Sequence, residues 1–373
     1  MILGIDASTY FEEMNANAKY YVNGKEVDPI ELFYKNGVNY ARIRVWNNPF
    51  DEDGNPYLGG TCDVENFIKL SKLFQSKGYK ILLDLHYSDF WADPGKQVLP
   101  KAWEKMNIIE LENAIYEFTL NVLNRSLIEG IEVSLIQIGN EITNGICWPL
   151  GKLIEGDENE VRGNYANLIF LLKAGIRATK EVFPNAKTIL HLERSYDQKV
   201  YYEFFTQMKM NDVDYDIIGA SYYPYWHGTF EQFFANVQMC QKEFNKDIMV
   251  MELGYGFTLE DYIKNNNGVA QLVVNNSNLD SFNFHQPYPL TKDGQKEFVK
   301  EFLRLARLND IKGVFYWEPI WIPGNNICWA SKEGQKYINE EGKSTRNEWA
   351  NQCLFDYEGN VNPAFYEFKN EEK

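Results

Sequence analysis

Eight short runs of apolar, largely β-branched residues recur along this chain, and the stretches between them repeat their apolar residues at helical spacing. The runs fall at 2–6, 39–46, 80–86, 133–139, 188–192, 217–221, 248–252 and 313–317. Helical-period segments are read at 29–36, 64–77, 108–127, 161–182, 198–208, 230–244 and 294–308. A strand covered on both faces reads as a continuous apolar run, and parallel strands need a crossover between them. The rhythm therefore predicts an α/β protein with a parallel sheet. Local punctuation agrees: Phe67, Leu70, Leu73 and Phe74 share one face of 64–77, and Gly78 follows as a C-terminal glycine. Pro184 stops the 161–182 segment. A doubly wound open sheet would also alternate, but it would carry a glycine-rich phosphate loop after its first strand. No GxGxxG or P-loop pattern occurs. The expectation is a single (β/α)8 TIM barrel over residues 1–373. Segments 253–290 and 322–360 are then long loops at its C-terminal face, because neither has the periodicity to fold alone.

Charge and cysteine pattern narrow the function. A net charge of −16 argues against nucleic acid or an anionic membrane as partner, whereas a neutral polysaccharide is indifferent to it. No apolar run is long enough to span a bilayer. Cys62, Cys147, Cys240, Cys328 and Cys353 lack CxxC spacing, so neither a zinc site nor a disulfide framework is indicated, and a reducing compartment fits all five. Met1 to Asp6 runs straight into the first strand without a basic or cleavable segment before it. The expectation is a cytoplasmic protein, or a secreted one whose leader has been removed. A monomer is expected, with no cofactor. The aromatic share, 15%, is high, and fits either a large core or a set of sugar-stacking platforms.

The chemistry is sought at the strand tips, where barrel enzymes keep it. Leu135-Ile136-Gln137-Ile138-Gly139-Asn140-Glu141-Ile142 reads as a buried strand that ends in a carboxylate, and Ile248-Met249-Val250-Met251-Glu252 ends the same way. Either glutamate alone fits a strand cap or an ion pair about as well as a catalytic role. Together they suggest a retaining glycosidase, in which one carboxyl group protonates the leaving oxygen and another, roughly 5 Å away, attacks the anomeric carbon. Glu141 is then the acid/base and Glu252 the nucleophile. The nucleophile needs a cation and hydrogen-bond donors. Arg42 and Arg44 point to the same side of their strand, so one is expected to reach the mouth and the other to bond a deeper carboxylate such as Asp84. Tyr222 or Tyr223 supplies a hydroxyl, and Asn140 bonds the sugar 2-hydroxyl.

Longer motifs surround these residues. Asp84-Leu85-His86-Tyr87-Ser88-Asp89-Phe90-Trp91-Ala92-Asp93-Pro94-Gly95-Lys96-Gln97 follows the third run, and Gly139-Asn140-Glu141-Ile142 with Trp148-Pro149-Leu150-Gly151 the fourth. Ser221-Tyr222-Tyr223-Pro224-Tyr225-Trp226-His227-Gly228-Thr229, Tyr316-Trp317-Glu318-Pro319-Ile320-Trp321-Ile322-Pro323 and Asn351-Gln352-Cys353-Leu354-Phe355-Asp356 complete the set. The chain resembles, over essentially its whole length, glycoside hydrolase family fifty-three, the arabinogalactan endo-β-1,4-galactanases. The resemblance implies a retaining clan-A barrel that cuts β-1,4-galactan. It carries Glu141 to the acid/base and Glu252 to the nucleophile, and puts Arg42 or Arg44, Asn140, His86, Tyr222 and Trp317 around the central subsite.

Trp91, Trp148, Trp226 and Trp321 are candidates for stacking sugar rings. Asp89 and Asp93 are candidates for bonding sugar hydroxyls, with an Asx-turn as the alternative in so turn-rich a loop. His86 and His191 end strands three and five; a sugar contact is expected of His86 only. Two stretches depart from the family pattern, Leu253-Gly254-Tyr255-Gly256 after Glu252 and Glu193-Arg194-Ser195 after strand five. Both are expected beside the substrate groove, and they favour as an alternative the trimming of short galacto-oligosaccharides or another β-1,4-glycan. Asn265-Asn266-Asn267-Gly268 lacks the acidic repeat that holds calcium in secreted relatives, so no structural calcium is expected there.

Overall fold

The computed structural model describes residues 1–153, 165–263, 272–281 and 287–369. Its centre is a closed barrel of eight parallel strands: β1 Ile2–Asp6, β2 Tyr40–Val45, β3 Lys80–Leu85, β4 Val133–Ile138, β5 Lys187–Leu192, β6 Ile217–Tyr222, β7 Asp247–Leu253 and β8 Gly313–Tyr316. Each strand pairs with its sequence neighbours, and β8 closes on β1. Helices α1 Pro29–Lys35, α2 Val64–Ser76, α3 Ile108–Ile128, α4 Tyr165–Val182, α5 Gln198–Met210, α6 Phe230–Phe244 and α7 Lys292–Leu308 stand between successive strands. Several begin with a side chain that satisfies the free backbone N–H groups of the first turn. Asp63 accepts from Asn66, and Asn107 with Glu110 and Thr229 with Gln232 form capping boxes.

The predicted barrel is the observed one, with most element ends within two residues. The predicted helix over 161–182 is seen from Tyr165. Residues 161–164, and the Asn265 to Gly268 stretch, lie outside the described residues. A hairpin of Tyr20–Val22 and Lys25–Val27 was not predicted, although Asn23-Gly24, both at positive φ, is the turn signal for one. Among the described residues no helix is long and apolar enough to cross a membrane. All five cysteines are buried with free thiols.

The alternation of each strand decides what the barrel holds. Tyr40, Leu82, Leu135, Ile189, Ile217, Met249, Met251 and Phe315 form an apolar plug inside its lower end, separate from the large core between strands and helices. Two residues further along, the inward positions turn polar: Arg42 above Tyr40, Asp84 above Leu82, Gln137 above Leu135 and His191 above Ile189. A period of two thus carries the interior from packing at the bottom to charge at the top.

Strand β7 breaks that period. Val250 opposes Ala220 on β6, yet Glu252 opposes Ser221, so Met251 is an extra residue in the ladder. The register with β8 shifts over the same stretch. A bulge of this kind re-aims a side chain, and here it turns Glu252 toward the mouth beside the inward Met251.

Candidate active site

The C-terminal face opens into a cleft of about 690 Å³. Its floor is the polar upper layer of the barrel, and its walls come from the loops after β3, β5, β6, β7 and β8. Glu141 and Glu252 face each other across the floor, 9% and 6% exposed. One carboxylate oxygen of each lies within 4.8 Å of the other. Glu141 follows Gly139, at φ +79°, and is itself left-handed at φ 47°, an uncommon conformation for a side-chain-bearing residue. The chain leaves β4 through this sharp turn, which presents the carboxyl group to the cleft.

The two carboxylates have different partners. Glu252 receives Arg42 Nη1 at 3.1 Å on Oε1 and the Tyr223 hydroxyl at 2.8 Å on Oε2. Among the described residues no cation pairs with Glu141; the Ser221 hydroxyl lies 2.6 Å from its Oε1. Arg42 is clamped in turn: Nη1 to Asp6 at 2.8 Å, Nη2 to Asp84 at 2.9 Å and to Asn140 Oδ1 at 2.7 Å, and Nε to Gln137 at 3.1 Å. Such a guanidinium is a fixed charge rather than a mobile one.

Burial raises both acids, since the low dielectric disfavours the charged form. For Glu141 the negative charges of Glu252 and then Glu193 add to burial and push it well above the usual carboxylate range. For Glu252 burial is opposed by Arg42 and by the Tyr223 hydroxyl, and it rises only to about 7. The pair therefore loses its first proton from Glu252, and Glu141 keeps its own. One protonated and one ionised carboxyl group at this separation is the set a retaining glycosidase uses.

Several predicted contacts line the cleft: Arg42, Arg44, His86, Trp91, Asp93, Asn140, Tyr223, Trp226, Trp317 and Trp321. Of the two arginines, Arg42 contacts the nucleophile and Arg44 bonds a deeper carboxylate, although that carboxylate is Glu318 rather than Asp84. Arg42 holds both Glu252 and Asp84, while Arg44 bonds Glu318 at 2.5 Å and lies 4.2 Å from the Trp91 ring centre. His86 is tied to the wall, its Nδ1 accepting from Trp46 and from the Ala92 backbone and its Nε2 3.1 Å from Asp84. Asp93 adopts the Asx-turn weighed for it. Its Oδ1 closes a turn onto Gly95 and Lys96, and the residue still lines the cleft.

Four expectations are corrected. Tyr222 packs outward between Phe233 and Phe302 and donates to the Gly228 carbonyl at 3.0 Å, because alternation along β6 sends Ser221 and Tyr223 inward and Tyr222 into the helix layer. Asp89 is buried away from the cleft, accepting from the backbone of Asn48 and of Lys101 and from the Lys101 ammonium. Trp148 borders a separate shallow groove with Val98 and Pro149, its indole N–H on the Asn144 carbonyl and Lys152 over its ring. Of the two departures, only Glu193, Arg194 and nearby Tyr196 reach the cleft, whereas Leu253 and Tyr255 are buried behind its wall.

Sequence reasoning missed Ser221, Gln137, Trp329 and Trp349. Ser221 was legible as the last inward residue of strand six. Trp329 and Trp349 come from the aperiodic 322–360 segment, which gives no directional signal. Glu141, His191 and Glu252 present one atom each within 4.8 Å, the spacing of a three-ligand metal site. Both ring nitrogens of His191 lie within hydrogen-bond distance of Ser221, Gln137 and Asn140, and Arg42 supplies the positive charge beside Glu252.

The family model described as Glycosyl hydrolase family 53 matches residues 2–368. The Bacillus subtilis endo-beta-1,4-galactanase is 32% identical over 389 residues, 99% of this chain and 85% of that protein. A probable arabinogalactan endo-beta-1,4-galactanase A of Neosartorya fischeri is 32% identical over 331 residues, 86% of this chain and 84% of its own length. Among solved structures, the Ignisphaera aggregans GH53 catalytic domain superimposes with a TM-score of 0.86 at 34% identity, covering 98% of this chain and 95% of that one.

Proposed function

The chain belongs to glycosyl hydrolase family 53, and on that footing we propose that it cleaves β-1,4-galactan by double displacement, with Glu252 as nucleophile and Glu141 as acid/base. It is a glycoside hydrolase, an arabinogalactan endo-β-1,4-galactanase, that hydrolyses β-1,4-galactosidic bonds within galactan. The observation that carries the residue assignment is the pair itself: two carboxylates within 4.8 Å, one held by Arg42 and Tyr223 and the other with no cation among the described residues.

In the first step a Glu252 oxygen attacks the anomeric carbon. The bond from that carbon to the O4 of the next galactose breaks, and O4 takes the Glu141 proton. Arg42 and Tyr223 keep Glu252 ionised and aimed until then. In the second step water replaces Glu252, giving up a proton to Glu141, and the free β-anomer leaves. Asn140 holds its amide oxygen on Arg42 and spends one amide hydrogen on the Ala92 carbonyl; the other is available to the sugar 2-hydroxyl. Trp91, Trp226, Trp317 and Trp321, with Trp329 and Trp349, supply apolar faces for the rings. Residues 1–373 are read as one catalytic unit, working as a monomer, since one copy supplies both carboxylates and the whole cleft lining. No nucleic acid, membrane or metal partner is proposed.

The test is a time course on linear β-1,4-galactan beside mannan, cellulose and short galacto-oligosaccharides. Early fragments of several sizes from galactan, with the β-anomer appearing first by proton NMR, are expected. Products released one or two sugars at a time from a chain end would instead support oligosaccharide trimming.

A further inference from the structure

We propose that Ser221 and His191 form a positioning relay behind the acid/base: His191 donates to Ser221, Ser221 donates to Glu141 Oε1, and the catalytic proton is thereby kept on Oε2. This rests on the assignment of Glu141 made above. Neither residue lines the cleft, both are fully buried, and together they link the acid/base to the buried floor.

The distances define a continuous chain. Glu141 Oε1 is 2.6 Å from Ser221 Oγ, which is 2.9 Å from His191 Nε2. On the far side of the ring, Nδ1 is 3.1 Å from the Gln137 amide nitrogen and 3.0 Å from Asn140 Oδ1. A hydroxyl has one hydrogen and a neutral imidazole one N–H, so only two directions satisfy the chain. In one, Nδ1 carries the hydrogen and gives it to Asn140, Nε2 accepts from Ser221, and the serine oxygen must accept the Glu141 proton. The acid would then point away from the substrate. In the other, Nε2 carries the hydrogen and gives it to Ser221, Ser221 gives its own to Oε1, and Gln137 serves Nδ1.

The second direction is the one that leaves Glu141 able to act as the acid, and the surroundings accommodate it. The Gln137 amide has two hydrogens: one goes to Asp84 Oδ1 at 2.7 Å, and the other lies within reach of His191 Nδ1 at 3.1 Å, while Asn140 Oδ1 is met by Arg42 Nη2 at 2.7 Å. The amide of Gln137 cannot be turned round, because Arg42 Nε donates to its oxygen at 3.1 Å and its nitrogen faces Asp84 at 2.7 Å. The imidazole also stays neutral, since burial and the nearby Arg42 charge hold it well below its ordinary value. With Oε1 occupied by a donor, a proton on Glu141 has only Oε2 to sit on, and Oε2 is the oxygen left to meet the leaving group. The bulge at Met251 sets Ser221 opposite Glu252 in the β6–β7 ladder.

The relay makes a prediction that a merely structural role does not. General acid help matters for a poor leaving group and hardly at all for a good one. Ser221→Ala should lower kcat/KM, which reports the first step, on galactan and on phenyl β-galactobioside by about 10²-fold, while kcat/KM for 2,4-dinitrophenyl β-galactobioside stays within a few-fold of wild type. His191→Ala should show the same split. His191→Gln keeps an N–H in reach of Ser221, so it should recover part of the loss. Glu141→Ala, run in the same series, separates the two claims. If Glu141→Ala loses kcat/KM equally on both aryl substrates, the acid/base assignment fails and the relay with it. If it shows the split while the Ser221 and His191 variants lose rate equally on both, or not at all, the relay alone is overturned. Should Ser221→Ala not fold, the pair His191→Ala and His191→Gln decides by the same readout.

Discussion

Burial on its own would neutralise Glu252, and two groups oppose it: the Arg42 guanidinium at 3.1 Å and the Tyr223 hydroxyl at 2.8 Å. Tyr223 can be removed without disturbing the buried ion network. A hydrogen bond to a charged group contributes roughly 1.5–3 kcal/mol, equivalent to about one to two pH units. Glu252 acts in its ionised form, so the acid limb of kcat/KM follows its proton affinity. In Tyr223→Phe the carboxylate loses a donor, its affinity for a proton rises from a value already near 7, and the acid limb moves to higher pH by about one unit. At pH 6 the loss should exceed that at pH 8, with melting temperature little changed because the ring and its packing remain. A pH–rate profile with an unmoved acid limb would mean that the hydroxyl does not serve the nucleophile. At this scale the sequence was legible where a charge had one task. Glu141, Glu252 and the arginine pair could be picked out as strand-borne charges. Asp89 could not be placed, since whether a loop carboxylate turns to sugar or to the backbone of Asn48 and Lys101 depends on contacts made only after folding.

Strand β7 and the turn that follows it carry the next constraint. Gly254 is not left-handed; it is needed for room, because a Cβ there would sit 2.8 Å from Tyr223 Cε1 and 3.6 Å from the Trp349 ring. Contacts under 3 Å force a shift, and the backbone on the other side is anchored by the buried Leu253 and Tyr255. The account predicts that Gly254→Ala displaces the Tyr223 ring, lowers kcat about tenfold and shifts the acid limb in the same direction as Tyr223→Phe. KM on galactan should rise as well, because Trp349 packs edge-on to both Tyr223 and Trp317. Kinetics identical to wild type would show that the wall is soft at this point. The bulge in the same strand explains a miss. Ile248 to Met251 is uniformly apolar, so nothing in the sequence marks Met251 as the extra residue. Simple alternation, by contrast, would have separated Tyr222 from Tyr223 had Ser221 been recognised as inward-facing.

Across the whole molecule, the barrel organises charge by height. An apolar plug closes the lower end, a buried layer of Arg42, Asp6, Asp84 and Gln137 sits above it, and the two glutamates stand on that layer under walls rich in tryptophan. The first two levels were legible because they are periodic. The walls were not, since Trp329 and Trp349 reach the cleft from a segment without periodicity, while Trp148, inside a recognised motif, faces another groove. The central claim is that the chemistry passes through a covalent galactosyl ester on Glu252. The most direct measurement treats the enzyme with 2,4-dinitrophenyl 2-deoxy-2-fluoro-β-galactobioside and locates the label by peptide mass spectrometry. The account predicts time-dependent inactivation with a single fluoroglycosyl adduct on the peptide that carries Glu252, and none on Glu252→Gln. An adduct on Glu141, or competitive binding with no adduct, would contradict it.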